Sequence, residues 1–278
     1  MNLIEAIVLA IVQGITEFLP ISSSAHLALV PWWLGWDDAS LFFEVVVHLG
    51  TTLALISYFW QDWRELIKAG LQILRQRKIV TAQERLLLWI GIATIPGVIG
   101  GFLIEPYFDG TLSEPGPVAA QLYLTAALLI FSEWYTARTY ATDTGRSLDG
   151  MKLTDSIAIG VAQAVAIIPG ISRSGSTIAT GLALGFNRES AARFSFVMAT
   201  PIILGAGAKK LLDVATGSES VANSEIFPLV MAFIVSAVVG YLSIAFLLQY
   251  VRQHKLYGFA YYVIAFATIT LLAVAIRG

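Results

Sequence analysis

Glu17-Phe18-Leu19-Pro20-Ile21-Ser22-Ser23-Ser24-Ala25-His26 packs a carboxylate, three hydroxyls and an imidazole into ten residues. A serine hydroxyl is a weak nucleophile until a base or a charge activates it. If helix resumes near Ser22, Ser23 and His26 stand at i and i+3 on one face and can meet. Gln13 and Glu17 stand at i and i+4 on the helix before. Glu17 offers the oxygen ligation that a hard divalent cation takes while bridging phosphate oxygens. A second polar cluster, Pro169-Gly170-Ile171-Ser172-Arg173-Ser174-Gly175-Ser176-Thr177, lies in the other half. Arg173 adds a planar fork of donors suited to phosphate, and Gly170 and Gly175 allow close backbone approach. Helices restarting after each proline would aim free N–H groups and positive dipole ends at the junction. The expected product is an anion site, phosphate above all. Nucleophile, base, carboxylate and arginine together fit phosphoryl transfer, where catalysis is mainly positioning and charge stabilisation.

Simpler roles stand beside these. Serines in apolar helices often bond only to backbone or to a neighbouring helix, and Ser22, Ser24 and Ser176 taken singly read that way. Gln13 and Gln163 read as interhelical hydrogen-bond partners. For Glu44 and His48, one turn apart, structural and functional roles stay open. Glu17 and Arg173 differ, because an ionisable group inside a membrane is functional by default; the simpler alternative is that the two only pair.

The elements that must position these groups follow from composition. The chain has 278 residues, 57% hydrophobic and 13% charged, with a mean hydropathy of +0.75; soluble domains carry roughly 25% charged residues. Apolar runs near the roughly 20 residues that cross a bilayer recur along the chain. The expectation is an all-α polytopic membrane protein. No basic face appears that would bind nucleic acid. The absence of cysteine removes thiol chemistry and disulfides. No Lys or Arg precedes the first apolar run, so no cleaved leader is expected.

Pro20 interrupts the apolar segment 3–19, and a short piece follows at about 25–35; together they read as a helical hairpin that enters the membrane and returns. A full span is expected at 41–60. The basic stretch 61–85 spaces Trp63, Leu66, Ile67, Leu71 and Leu74 as an amphipathic surface helix. Spans at 86–104 and 118–136 flank a loop with Glu105, Asp109 and Glu114, and 137–152 is a polar linker. The second half repeats the plan: a hairpin from 153–168 and 175–186, then spans at about 190–208, 227–248 and 258–276. Trp32, Trp33 and Trp36 read as an interfacial aromatic belt. The whole is one integral membrane domain, with repeat one about 1–136 and repeat two about 153–278.

The positive-inside rule puts 61–85 in the cytoplasm. The first hairpin then enters from outside and the second from inside, although Lys209 and Lys210 fall on the wrong side of this count. A hairpin plus three spans crosses an odd number of times, so the second half runs inverted relative to the first. Inverted repeats with broken helices meeting near the midplane are a known membrane architecture. Gln13 precedes Ser22 by the same interval as Gln163 precedes Ser172, and Ile21/Ile171 and Ser24/Ser174 match as well.

At these residues the sequence resembles the undecaprenyl-diphosphate phosphatase family of the bacitracin-resistance type. The resemblance covers nearly the whole chain and rests on Gln13-Gly14-Ile15-Thr16-Glu17-Phe18-Leu19-Pro20-Ile21-Ser22-Ser23-Ser24-Ala25-His26 and on Pro169 to Thr177. Gln13 takes the amide option of the family's (Glu/Gln)-x-x-x-Glu motif, and an amide cannot serve as the essential base. The resemblance implies a multi-pass enzyme of the bacterial cytoplasmic membrane that converts undecaprenyl diphosphate to the monophosphate, recycling the carrier lipid for the cell envelope. It implies a divalent cation (magnesium or calcium), a site opening to the outer side, two inverted repeats and, often, a homodimer among membrane lipids. Glu17, Ser23, His26 and Arg173 fall on the family's functional positions, with Glu17 as metal ligand. Ser172, Ser174, Gly175 and Thr177 fall in its phosphate-binding motif; Ser22, Ser24 and Gln13 are further substrate-binding candidates. Either Ser23 or His26 could attack phosphorus; Ser23 as nucleophile with His26 as base is the favoured assignment. The rival is a secondary transporter or flippase for an anionic lipid, since alternating access uses the same architecture. It needs an anion site but not Ser23 and His26 beside it.

Overall fold

The computed structural model describes residues 1–103, 111–140, 145–216 and 223–277. Glu105 and Asp109, which figured in the loop reading, lie outside the described residues. The described elements are eleven α-helices and two short 3-10 turns. The first hairpin is α1 (Leu3–Thr16) and α2 (Ser23–Leu34); α3 (Leu41–Tyr58), α4 (Trp60–Gln76), α5 (Ala82–Leu103) and α6 (Pro115–Thr139) complete the first half. The second hairpin is α7 (Leu153–Val165) and α8 (Arg173–Ala183), followed by α9 (Arg188–Ala215), α10 (Asn223–Val251) and α11 (Tyr257–Arg277). Six of these, α3, α5, α6, α9, α10 and α11, are long and apolar enough to cross a membrane. The protein is an all-α, multi-pass membrane protein.

Local chemistry sets most boundaries. Asn2 and Glu5 form a reciprocal capping box at the start of α1. Ser22 caps α2 and Ser172 caps α8, each hydroxyl accepting from the N–H three residues on, at 3.4 and 3.0 Å. The return piece of the second hairpin therefore starts at Arg173, before the expected 175. α5 starts at Ala82, not at 86, because of a second capping box. Glu84 Oε2 accepts from the N–H groups of Val80 and Thr81, and Glu84 N–H donates to Thr81 Oγ. Asn187 Oδ1 likewise accepts from Ser190 N–H at the start of α9.

α4 lies where the amphipathic helix was expected. Its buried residues are Leu66 and Ala69, while Ile67, Leu71 and Leu74 are exposed beside basic Arg64, Lys68 and Arg75. An apolar strip exposed next to cations suits the bilayer interface. Trp33 donates its indole N–H to Thr270 on α11 at 3.2 Å, and the Arg277 guanidinium lies 4.5 Å from the Trp32 ring centroid.

The core packs by close helix contact. α1 packs on α10, α7 on α5, α3 on α9 and α10, and α6 on α11. Small residues permit this. A Cβ on Gly14 would fall 2.7 Å from Val239, and one on Gly50 only 2.5 Å from the Phe233 carbonyl. Phe18, just after α1, meets Phe196 of α9 edge-on at 5.3 Å between centroids. At the end of α9 far from the hairpin tips, four ion pairs tie the bundle: Arg188–Glu133, Arg193–Asp62, Arg252–Glu189 and Arg146–Asp155.

With α5 crossing between them, Arg75 and Glu114 should lie on opposite faces of the membrane. Since the chain has no cysteine, single cysteines at these positions can be labelled with a membrane-impermeant maleimide in right-side-out and inverted vesicles. Each should react in only one preparation, and not the same one; labelling of both in one preparation would refute the topology.

Candidate active site

α1 ends with Glu17 as its last helical cap, and the turn Phe18–Ile21 carries the chain across to α2. Ser22 closes that turn with φ +73°, in a region L side chains rarely adopt. Such conformations cost of order 1–3 kcal/mol and persist where surrounding structure imposes them. On the other hairpin Gly170 supplies the positive φ, at +86°, without that cost. The tips interlock: Ser174 Oγ donates to the Leu19 carbonyl at 3.1 Å, and a Cβ on Gly175 would sit 3.5 Å from the Pro20 carbonyl oxygen.

Glu17 is the centre of the junction. It is only 4% exposed. Its Oε1 pairs with the Arg173 guanidinium at the start of α8. Its Oε2 accepts from Gln13 Nε2 at 3.0 Å and from Ser23 Oγ at 2.7 Å. The same oxygen faces His48 Nε2 at 3.5 Å. The His48 ring is anchored by Nδ1–H, which donates to the Glu44 carbonyl at 2.7 Å. A pocket of about 300 Å³ opens over this group. Glu17, Ser22, Ser23, Ser24, His48 and Arg173 supply its polar side, with Glu44 at the rim. Leu41, Val45, Ile202 and Ile203 are among its apolar walls.

The structure thus brings Glu17, Ser23 and Arg173 together, but not His26. The ring of His26 turns toward α11 and not toward Ser23. Its Nδ1–H donates to the Ser22 carbonyl at 2.7 Å, and Nε2 meets the Tyr262 hydroxyl at 2.8 Å. It stacks on Phe266 with centroids 4.7 Å apart. Both ring nitrogens are committed, so the expected Ser23–His26 contact is replaced by Ser23–Glu17. The i, i+3 spacing was sound, but Ser23 leans back toward α1 and His26 toward α11. No local signal marks Tyr262 as its partner, 236 residues away.

Other expected residues lie behind the pocket. Gln13 backs Glu17. Ser172 pairs with Ser174, their hydroxyls 3.2 Å apart, and its N–H donates to Thr125 Oγ. Thr177 Oγ bonds the Arg173 carbonyl and Ser195 Oγ. These groups brace the second tip and do not line the pocket. Ser22 and Ser24, hydroxyls 3.2 Å apart, do line it. His48, left open by the sequence, stands at the site beside Glu17.

Glu17 does not fit the role of preformed metal ligand. Arg173 occupies one carboxylate oxygen, and Gln13 and Ser23 occupy the other. Among the described residues no group of three His, Asp or Glu could hold an ion. A hard cation needs several oxygen ligands, and this junction spends its carboxylate on donors instead.

A model of the family described as bacitracin resistance protein BacA matches residues 6–269. Curated relatives named undecaprenyl-diphosphatase align over essentially their full length. The protein of Desulforudis audaxviator is 42% identical over 278 residues, covering 100% of both chains. That of Pelotomaculum thermopropionicum is 41% identical over 276 residues, covering 99% of this chain and 98% of the relative. That of Moorella thermoacetica is 42% identical over 269 residues, 97% of each.

Removing one partner of a buried ion pair leaves the other charge uncompensated. Glu17→Ala and Arg173→Ala should each destabilise the protein by about 3 kcal/mol, and the double variant by less than the sum. Thermal unfolding in detergent reads this; strictly additive effects would show that the two side chains do not depend on each other.

Proposed function

The chain belongs to the bacitracin resistance protein BacA family, and on that premise we propose that it hydrolyses undecaprenyl diphosphate to undecaprenyl phosphate and inorganic phosphate. The observation that carries this reading is the Ser23 hydroxyl donating to Glu17 Oε2, with Arg173 on the other carboxylate oxygen. A nucleophile, the group that takes its proton and a phosphate-binding cation meet in one pocket.

In the proposed sequence the terminal phosphate enters over Ser23 and shares Arg173 with Glu17. Ser23 Oγ forms a bond to phosphorus while its proton passes to Glu17 Oε2. The bond from phosphorus to the bridging oxygen breaks, and undecaprenyl phosphate leaves with that electron pair. Water then attacks the phosphoserine. The P–Oγ bond breaks, Glu17 returns to Ser23 Oγ the proton it took, and inorganic phosphate departs as dihydrogen phosphate carrying both protons of the water. Arg173 and the N-terminal ends of α2 and α8 neutralise charge on the transferring oxygens. His26, tied to Tyr262, keeps α2 seated on α11.

A divalent cation enters this proposal only as a counter-ion carried on the diphosphate oxygens. We place the site toward the outer face of the bacterial cytoplasmic membrane, because the basic stretch around α4 orients the opposite end inward. The two halves read as inverted repeats, which is supported by α1 packing on α10 as α7 packs on α5. Two of the ion pairs at the far end of α9, Arg188–Glu133 and Arg193–Asp62, join the two halves and weigh against alternating access, since rocking one half on the other would have to break both.

Purified protein should release phosphate from undecaprenyl and farnesyl diphosphates. Ser23→Ala, Glu17→Ala and Arg173→Ala should each lower kcat by about two to three orders of magnitude. His26→Asn should cost far less activity than stability. Full activity in both Glu17→Ala and Arg173→Ala would overturn the assignment, and lipid transport without hydrolysis would favour the rival. Chelation should lower activity, and magnesium should restore it, without a shift in Tm. Stabilisation of the substrate-free protein by the ion would instead indicate a built metal site.

A further inference from the structure

The pocket of about 300 Å³ has room for a diphosphate but not for a long hydrocarbon chain. Its α3 wall has a second face. Leu41, Glu44, Val45 and His48 look into the pocket, while Phe42, Val46 and Leu49 look out into a groove of about 400 Å³. Leu211 of α9 and Val230 and Phe233 of α10 complete the groove, and every lining residue is apolar. Leu49 is the shared partition. It lines the groove and leans on Gly207 of α9, which lines the pocket; a Cβ on Gly207 would lie 2.5 Å from Leu49 Cδ2. The missing side chain at Gly207 lets Leu49 pack directly against the α9 backbone there.

The groove continues deeper. One to two turns on, Leu53 and Ser57 of α3 and Val238, Tyr241 and Leu242 of α10 border a further recess of about 290 Å³. Positions 42, 46, 49, 53 and 57 follow helical spacing, so the two recesses lie along one seam between α3 and α10. At about 1.5 Å rise per residue the seam is roughly 22 Å long. Helices in lipid usually close such seams by small-residue packing. Here Gly50 brings the backbones together in the middle, yet large side chains on both flanks stay apart. Leu53, Val238 and Leu242 remain 44%, 56% and 61% exposed.

We propose that the α3–α10 seam holds the polyprenyl chain of the substrate, leading it from the pocket past Leu49 and along the bundle toward the opposite membrane face. The inference rests on the phosphatase reading above. The occupant is a branched, flexible hydrocarbon attached to a diphosphate, because the seam begins at the helix turn that also carries the pocket's polar rim. A free bilayer lipid would have no reason to start there. Short chains would end in the outer recess, and long chains would reach the inner one. The seam then sets chain-length preference separately from chemistry.

The test compares undecaprenyl with farnesyl diphosphate on wild type, Val238→Trp, Leu53→Trp and a control, Leu128→Trp, on the lipid-facing side of α6. Filling the inner recess should lower kcat/KM for the long substrate about five-fold more than for the short one, the loss expected when one or two methylenes go unburied. The control should shift neither. A benzophenone-tipped prenyl diphosphate should crosslink to α3 and α10 peptides, in competition with undecaprenyl phosphate. Equal losses on both substrates, or crosslinks on α6 and α11 instead, would overturn the seam while leaving the phosphatase reading intact. A wild type that hydrolyses neither substrate would remove that reading, and the seam proposal with it.

Discussion

The ion pair between Glu17 and Arg173 is the interaction on which the rest depends. It joins residues 156 positions apart, one from each hairpin, inside a bundle whose surroundings are largely apolar. Either charge alone would be costly at that depth. Together, with Gln13 and Ser23 donating to the same carboxylate, they form a satisfied polar centre that only the two tips in contact can make. The tips meet because each helix is broken: Pro20 and the strained Ser22 turn on one side, Pro169-Gly170 on the other. Gly175 leaves room for the Ser172 cap of α8, where a Cβ would fall 2.9 Å from Ser172 Cβ.

The same arrangement makes the centre reactive. A carboxylate held in place by Arg173 also accepts the Ser23 hydroxyl, so the contacts that stabilise the junction align a nucleophile with a proton acceptor. An arriving phosphate offers Arg173 a second anion, and the pair can loosen as charge develops on the transferring oxygens. Electrostatic preorganisation of this kind needs little motion. It fits a bundle whose far end is tied by the Glu133–Arg188, Asp62–Arg193 and Glu189–Arg252 pairs.

Much of this was legible in the sequence. The six spanning helices follow from apolar runs, and the two breaks from Pro20 and Pro169-Gly170, because bilayer thickness and proline geometry act locally. Glu17 and Arg173 stood out because charge amid apolar sequence needs a partner. Boundaries moved where a capping box extends a helix past its apolar run, as Thr81 and Glu84 do at α5. Spacing alone misled at His26. Its i, i+3 relation to Ser23 is real, but Tyr262 and Phe266 claim the ring from a distant helix, and no local pattern encodes that. His48 was the converse, a residue whose role the sequence left open and that tertiary packing sets beside Glu17. Glu17 as a cation ligand is a related case. A lone carboxylate in sequence looks available, whereas in the fold its oxygens are already taken by nearer donors.

The central claim is that Ser23, activated by Glu17, takes the phosphoryl group. Rapid acid quench of the purified protein during turnover of undecaprenyl diphosphate, followed by peptide mass spectrometry, addresses it most directly. The account predicts a phosphate on Ser23 that is absent in Glu17→Ala. A phosphate on His26, or turnover with no phosphorylated enzyme and with Ser23→Ala fully active, would contradict it.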